Sequence, residues 1–141
     1  MYDILHDLTI KAPLSKIFAA ITEPAHLNNW WTKESSGEAI IGHEYRLYFA
    51  PEYDWYAEVS ICEIDKHFEL TMTKSDEDWN LTRFGFELKL FSDSVNVSHY
   101  HKGWKSQNHH YRRSNYSWAQ LLRLLKNYVE SGEIVSFMHR A

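Results

Sequence analysis

The last third of the chain carries the pattern that most limits what it can fold into. Trp118, Leu121, Leu122, Leu125, Tyr128 and Val129 recur at three- and four-residue steps, with Arg123, Lys126, Asn127 and Glu130 on the opposite side. Such a stripe marks a long helix that must lie on another apolar surface. Gly132, just beyond the stripe, predicts its C-terminal end. The start is open between about Ser106 and Ser114, because "SQNHHYRRSNYS" has no apolar period.

The partner surface lies in the middle of the chain, where the period is two from about Glu38 onward. Tyr45, Leu47 and Phe49 alternate with Glu44, Arg46 and Tyr48; Trp55, Ala57, Val59 and Ile61 alternate with Tyr56, Glu58 and Ser60. Phe68, Leu70 and Met72 follow, then Phe84, Phe86, Leu88 and Leu90, then Val95, Val97, His99 and His101. Polar connections such as "SDEDWN" and "FSDS" separate the runs. Strands with one wet face and short links predict an antiparallel meander. The concave face of that sheet is the one large apolar partner for the C-terminal helix, which makes the fold class α+β.

Before the meander, "YDILHDLTIK" reads as a strand with Ile4, His6, Leu8 and Ile10 on one face. Leu14, Ile17, Phe18 and Ile21 then mark a short helix after Pro13. Thr22 or Glu23 can cap a second short helix with Pro24 at its first position. That helix ends in "NWW". Trp30 follows Ile21 and Leu27 into the core, and a step of about 100° per residue turns Trp31 towards a cavity mouth or solvent.

These elements fit one domain, residues 1–141. Aromatic residues make up 16% of the chain, enough large side chains for a substantial core without a metal or disulfide. Cys62 is the single cysteine, so no internal disulfide can form. The net charge of −4 gives no general attraction to nucleic acid. The basic and aromatic residues of "HYHKGWKSQNHHYRR" are more simply read as a solvated entrance to the helix. The opening residues lack the basic start and apolar run of a signal peptide, and no stretch approaches the ~20 apolar residues of a membrane helix. A cytoplasmic location is expected.

The order of elements resembles the helix-grip fold of the START and Bet v 1-like superfamily. "IKAPLSKIFAAITEPAHLNNWW", "AIIGHEYRLYF" and "SWAQLLRLLKNYVESG" are similar to motifs of the bacterial proteins related to the heat-shock-protein-90 ATPase activator. The likeness runs nearly end to end. It implies a curved antiparallel sheet wrapped around the C-terminal helix, two short helices after the first strand, and a ligand-holding cavity between sheet and helix. Ser117 stands where a glycine usually precedes the helix tryptophan, and "GHEY" has one glycine where two are usual. Both departures are expected near the cavity mouth.

The expected function is therefore binding of an apolar or aromatic small molecule. Trp30, Trp31, Phe49, Trp55, Trp118 and Leu122 are the expected walls. His99, on the inward parity of its strand, and Tyr45 are the expected orienting groups, with Tyr45, Tyr116 or a bound ligand as the partner of the buried imidazole. His101 is expected at the surface, at its strand's end. His99 and His101 share a face, but no "HExxH" or "CxxC" accompanies them, and no metal or cofactor is assigned. Cys62 reads as facing away from the apolar face with no adjacent base, and no catalytic residue is assigned. Two alternatives stay open: a cyclase- or dehydratase-like enzyme using the same cavity, and a co-chaperone-like module that binds a protein partner.

Overall fold

A computed structural model describes residues 1–141. Strand β1 (Tyr2–Ile10) leads into helices α1 (Leu14–Thr22) and α2 (Pro24–Trp30). There follow β2 (Glu34–Ser36), β3 (Glu44–Ala50), β4 (Tyr53–Glu63), β5 (His67–Lys74), β6 (Arg83–Phe91) and β7 (Ser94–Trp104), then the long helix α3 (His109–Ser131). All seven strands form one antiparallel sheet in the order β1-β7-β6-β5-β4-β3-β2. It is a meander from β2 to β7, with β1 added alongside β7 as an edge strand. The helices lie on its concave face, which is the helix-grip arrangement the element order predicts.

The alternating residues set the register. Val95, Val97, His99 and His101 of β7 all point inward and are buried, level with Leu8, His6 and Ile4 on β1 and with Leu88, Phe86 and Phe84 on β6. Trp118, Leu121, Leu122, Leu125 and Val129 of α3 are buried on this surface, as their spacing requires. The helix starts at His109. The Asn108 side chain caps it, accepting a hydrogen bond from the Tyr111 N–H at 3.0 Å. Gly132 ends it with φ of +77°, a left-handed value that glycine adopts without a Cβ penalty.

Two features depart from the alternating pattern. The three-residue strand β2 is too short to show a period, and only its pairing with β3 reveals it. In β4 the register shifts between Val59 and Ile61, so the parity reverses beyond Ser60. Cys62 consequently packs against the core instead of facing away from it, and its thiol donates to the Ala39 carbonyl at 3.2 Å. Burial raises the thiol pKa, which suits a structural cysteine.

Candidate functional site

One end of the sheet is filled almost entirely by aromatic rings, beginning with the tandem tryptophans of α2. Trp30 is the last helical residue, 1% exposed, and its indole N–H donates to the Ala20 carbonyl at 2.9 Å. Trp31 leaves the helix with φ −131° and ψ −79°. The helical step therefore no longer applies, and the two indoles stack with centroids 5.9 Å apart and planes inclined by 23°. Trp31 faces neither solvent nor the opposite side. It is 5% exposed and packs against Phe49, Phe84 and Trp118 at centroid distances of 5.6, 5.5 and 5.3 Å.

Above Trp31 lies an open cleft of about 850 Å³. Its apolar walls are Trp31, Phe49, Tyr53, Trp55, Trp79, Trp118 and Leu121. The β3–β4 hairpin supplies Phe49, Tyr53 and Trp55, and the N-terminal half of α3 supplies Trp118 and Leu121. Trp79 comes from the β5–β6 connection, the segment "SDEDWN" that its polarity marks as a plain loop. There the Asp76 carboxylate accepts the Trp79 backbone N–H at 2.8 Å, turning the chain so that the indole folds inward. Trp79 lies 5.0 Å from Trp55 and stacks on Trp118 at 6.2 Å and 22°. Trp55, Trp79 and Trp118 thus pack against one another and form a continuous aromatic wall of the cleft.

A chain of hydrogen bonds behind these walls holds them in place. The Trp118 indole N–H donates to His101 Nδ1 at 3.1 Å, so the neutral His101 ring carries its proton on Nε2. That nitrogen lies 2.8 Å from Thr82 Oγ1, which in turn donates to the Trp79 carbonyl at 2.5 Å. His101 is fully buried instead of lying at the surface, because β7 runs on to Trp104 and carries it inside. Burial holds its pKa well below the ordinary histidine value, with nearby His99 and His110 acting in the same direction. No group of three or more His, Cys, Asp or Glu side chains is arranged to hold a metal ion.

The rest of the lining is largely polar. Asp76, Asp78, Asn108, His109, His110, Arg113, Ser114 and Ser117 lie along it, and Ala141 reaches it from the C-terminal tail. His110 Nδ1 is 3.1 Å from Asp78 Oδ2 and 3.5 Å from Asp76 Oδ2. The Asn108 amide donates to Asp78 Oδ1 at 3.1 Å, so the residue that caps α3 also fixes the carboxylate that faces His110. The indole of Trp79 donates to Ser114 Oγ at 3.2 Å. Ser117 sits on the cleft wall, whereas Gly42 of "GHEY" is not among the lining residues and precedes the far end of β3.

Of the residues singled out from the sequence, Trp31, Phe49, Trp55 and Trp118 are brought together on the cleft. Trp30, Tyr45, His99 and Leu122 are packed into the core instead. The Tyr45 hydroxyl donates to the Thr22 carbonyl at 2.6 Å, tying β3 to the end of α1. It is therefore not the partner of His99, and Tyr116 is exposed. His99 Nδ1 donates to the Gly85 carbonyl at 3.1 Å, and its Nε2 has no hydrogen-bond partner. The ring lies 4.2 Å from Trp118 and 4.9 Å from Phe86. Burial pushes its pKa down to about 3, and the adjacent His6 pushes in the same direction. Trp79, His110 and Asp78 were not legible as site residues, since nothing in a polar loop or an aperiodic helix entrance shows that the two meet.

Comparison with known proteins places this architecture. The family model described as activator of Hsp90 ATPase homolog 1-like protein matches residues 11–130. The search of curated proteins found no match. The chain is similar to the solution structure of the Aha1 dimer from Colwellia psychrerythraea, with a TM-score of 0.86 and 27% identity over 94% of this chain and 99% of that one. It shares its fold with a protein from Mesorhizobium loti (TM-score 0.82, 18% identity, 94% and 100% of the two chains). The same holds for CalU16 from Micromonospora echinospora (TM-score 0.76, 16% identity, 92% and 77%). With the model covering most of its length, the chain belongs to the family of activator of Hsp90 ATPase homolog 1-like proteins.

Proposed function

We propose that the protein binds an apolar or aromatic small molecule in the cleft lined by Trp31, Phe49, Tyr53, Trp55, Trp79 and Trp118. The supporting observation is the lining: six aromatic side chains share the cleft with polar and charged groups, a combination that can bury a ligand's apolar body and orient its polar end. The rest of the concave face is filled by the protein's own side chains, so the ligand enters from the end of the fold and does not lie beneath the whole helix. No catalytic role follows for His99, which is packed behind Trp118.

Native mass spectrometry of freshly purified protein tests this reading. An extra mass of small-molecule size, lost on denaturation, is expected, and Trp55→Ala should weaken its retention. A clean protein mass, together with no quenching of tryptophan fluorescence by aromatic probes, would refute it. A protein-interaction reading is favoured by a separate observation. Ile64, Leu90 and Phe91 are exposed at the ends of β4 and β6 far from the cleft, and the Colwellia relative is a dimer. A sedimentation mass that stays monomeric at high concentration would count against self-association through that end.

A further inference from the structure

Resting on the small-molecule reading, we propose that residues 133–141 form a strap over the cleft, latched by Arg140 and released to let a ligand pass. The chain leaves α3 at Gly132, about 16 Å along the helix beyond Leu121, the last α3 residue of the cleft lining. Ala141 nevertheless belongs to that lining, so the segment between them doubles back along α3. There His139, Arg140 and Ala141 stand opposite Ala119, Gln120, Arg123 and Leu124 of the helix across a gap of about 650 Å³. Ala141 borders this gap and the cleft alike.

The strap is tied mainly to itself. The His139 N–H donates to the Ser136 carbonyl at 2.9 Å, the Arg140 N–H to the Phe137 carbonyl at 3.2 Å, and Arg140 Nε to the Val135 carbonyl at 2.9 Å. The guanidinium also lies over the Phe137 ring, 5.8 Å from its centroid. Its one hydrogen bond to the rest of the molecule runs from Arg140 Nη1 to the Thr32 carbonyl at 3.2 Å, and Thr32 directly follows Trp31 of the cleft. Ile134 and Met138 are exposed, and no strap residue packs against the hydrophobic core. A segment folded on itself and held at one point opens as a unit at small cost, as the lids of binding sites do. A latch that is equally strong over an empty and a filled cleft slows entry and exit by the same factor and leaves affinity unchanged.

Stopped-flow fluorescence with 7-methoxycoumarin, a planar neutral probe that accepts excitation energy from tryptophan, measures passage into and out of the cleft. Arg140→Ala should raise the association and dissociation rates together by about tenfold, the factor that one hydrogen bond from a charged donor supplies, with Kd held within about twofold. Arg140→Lys, which keeps a cationic donor, should fall between the two. With no ligand present, acrylamide should quench the tryptophan fluorescence of Arg140→Ala more strongly than that of the unaltered protein, at an unchanged thermal midpoint. Unchanged rates, or a faster dissociation alone with Kd weakened in step, would overturn the strap and leave the small-molecule reading standing. Failure of the probe to bind the unaltered protein would count against that reading and leave quenching to decide the strap: a rise in Arg140→Ala supports it, and no rise overturns it.

Discussion

Acidification should weaken this protein through two particular imidazoles. His99 and His101 are buried and neutral, and their folded pKa values lie below the ordinary 6.5, for His99 at about 3. In the unfolded chain both return to ordinary values, so below about pH 6.5 the unfolded state binds protons that the folded state refuses. Stability contributed by the neutral rings is complete above that pH and is lost as the pH falls towards the folded values. With its folded pKa at about 3, His99 alone costs about 2 kcal/mol by about pH 5, approaching about 1.4 kcal/mol per further pH unit, and His101 adds to the loss in the same direction. The loss is measurable against the roughly 5–15 kcal/mol typical of a domain. Protonation has a visible structural obstacle: the added proton on His99 Nε2 would have no acceptor, and a proton on His101 Nδ1 would face the Trp118 N–H. Urea unfolding at a series of pH values measures the slope. His99→Gln and His101→Gln should each reduce it. A stability that is flat between about pH 7 and about pH 5, or a slope unchanged in both variants, would refute the reasoning.

Three further outcomes are expected. Gly85→Ala should destabilise by about 1–3 kcal/mol in denaturant titration, because the new methyl group would lie 2.6 Å from the Phe68 carbonyl oxygen and 2.7 Å from Tyr100 Oη. Tyr45→Phe should cost about 1–3 kcal/mol in thermal unfolding by leaving the Thr22 carbonyl without its buried donor, with no change in probe binding to the cleft. Asn108→Ala should cost about 1 kcal/mol through loss of the α3 cap.

The fold was legible because both of its periods are long and consistent. A slip of one residue in "SVNVSHYH" would have turned His99 outward, yet Val95 and Val97 pair with Leu8 and Ile10 of β1 only in the inward register. The bulge after Val59 was not legible, since Ile61 and Cys62 are both apolar enough for either face. The cleft was half legible. Phe49, Trp55 and Trp118 show their direction by parity or helical spacing. Trp79 has neither, because a tryptophan in the eight-residue β5–β6 connection takes its direction from the Asp76 bond and from the rings it meets. Tyr45 and His99 were assigned to the correct face, but a face does not tell whether a side chain ends in a cleft or under a neighbouring helix.

The line of donors from Trp118 through His101 and Thr82 to the backbone of Trp79 joins three segments that are remote in the chain. It runs in one direction only, because an indole can give but not receive. Exchange of any one member for an apolar residue strands a polar atom on each neighbour. In a lineage of such proteins the three side chains should therefore be kept together or replaced together. A relative that retains Trp118 but has lost His101 must find another acceptor for the indole, and the roof of its cleft should be expected at a different height.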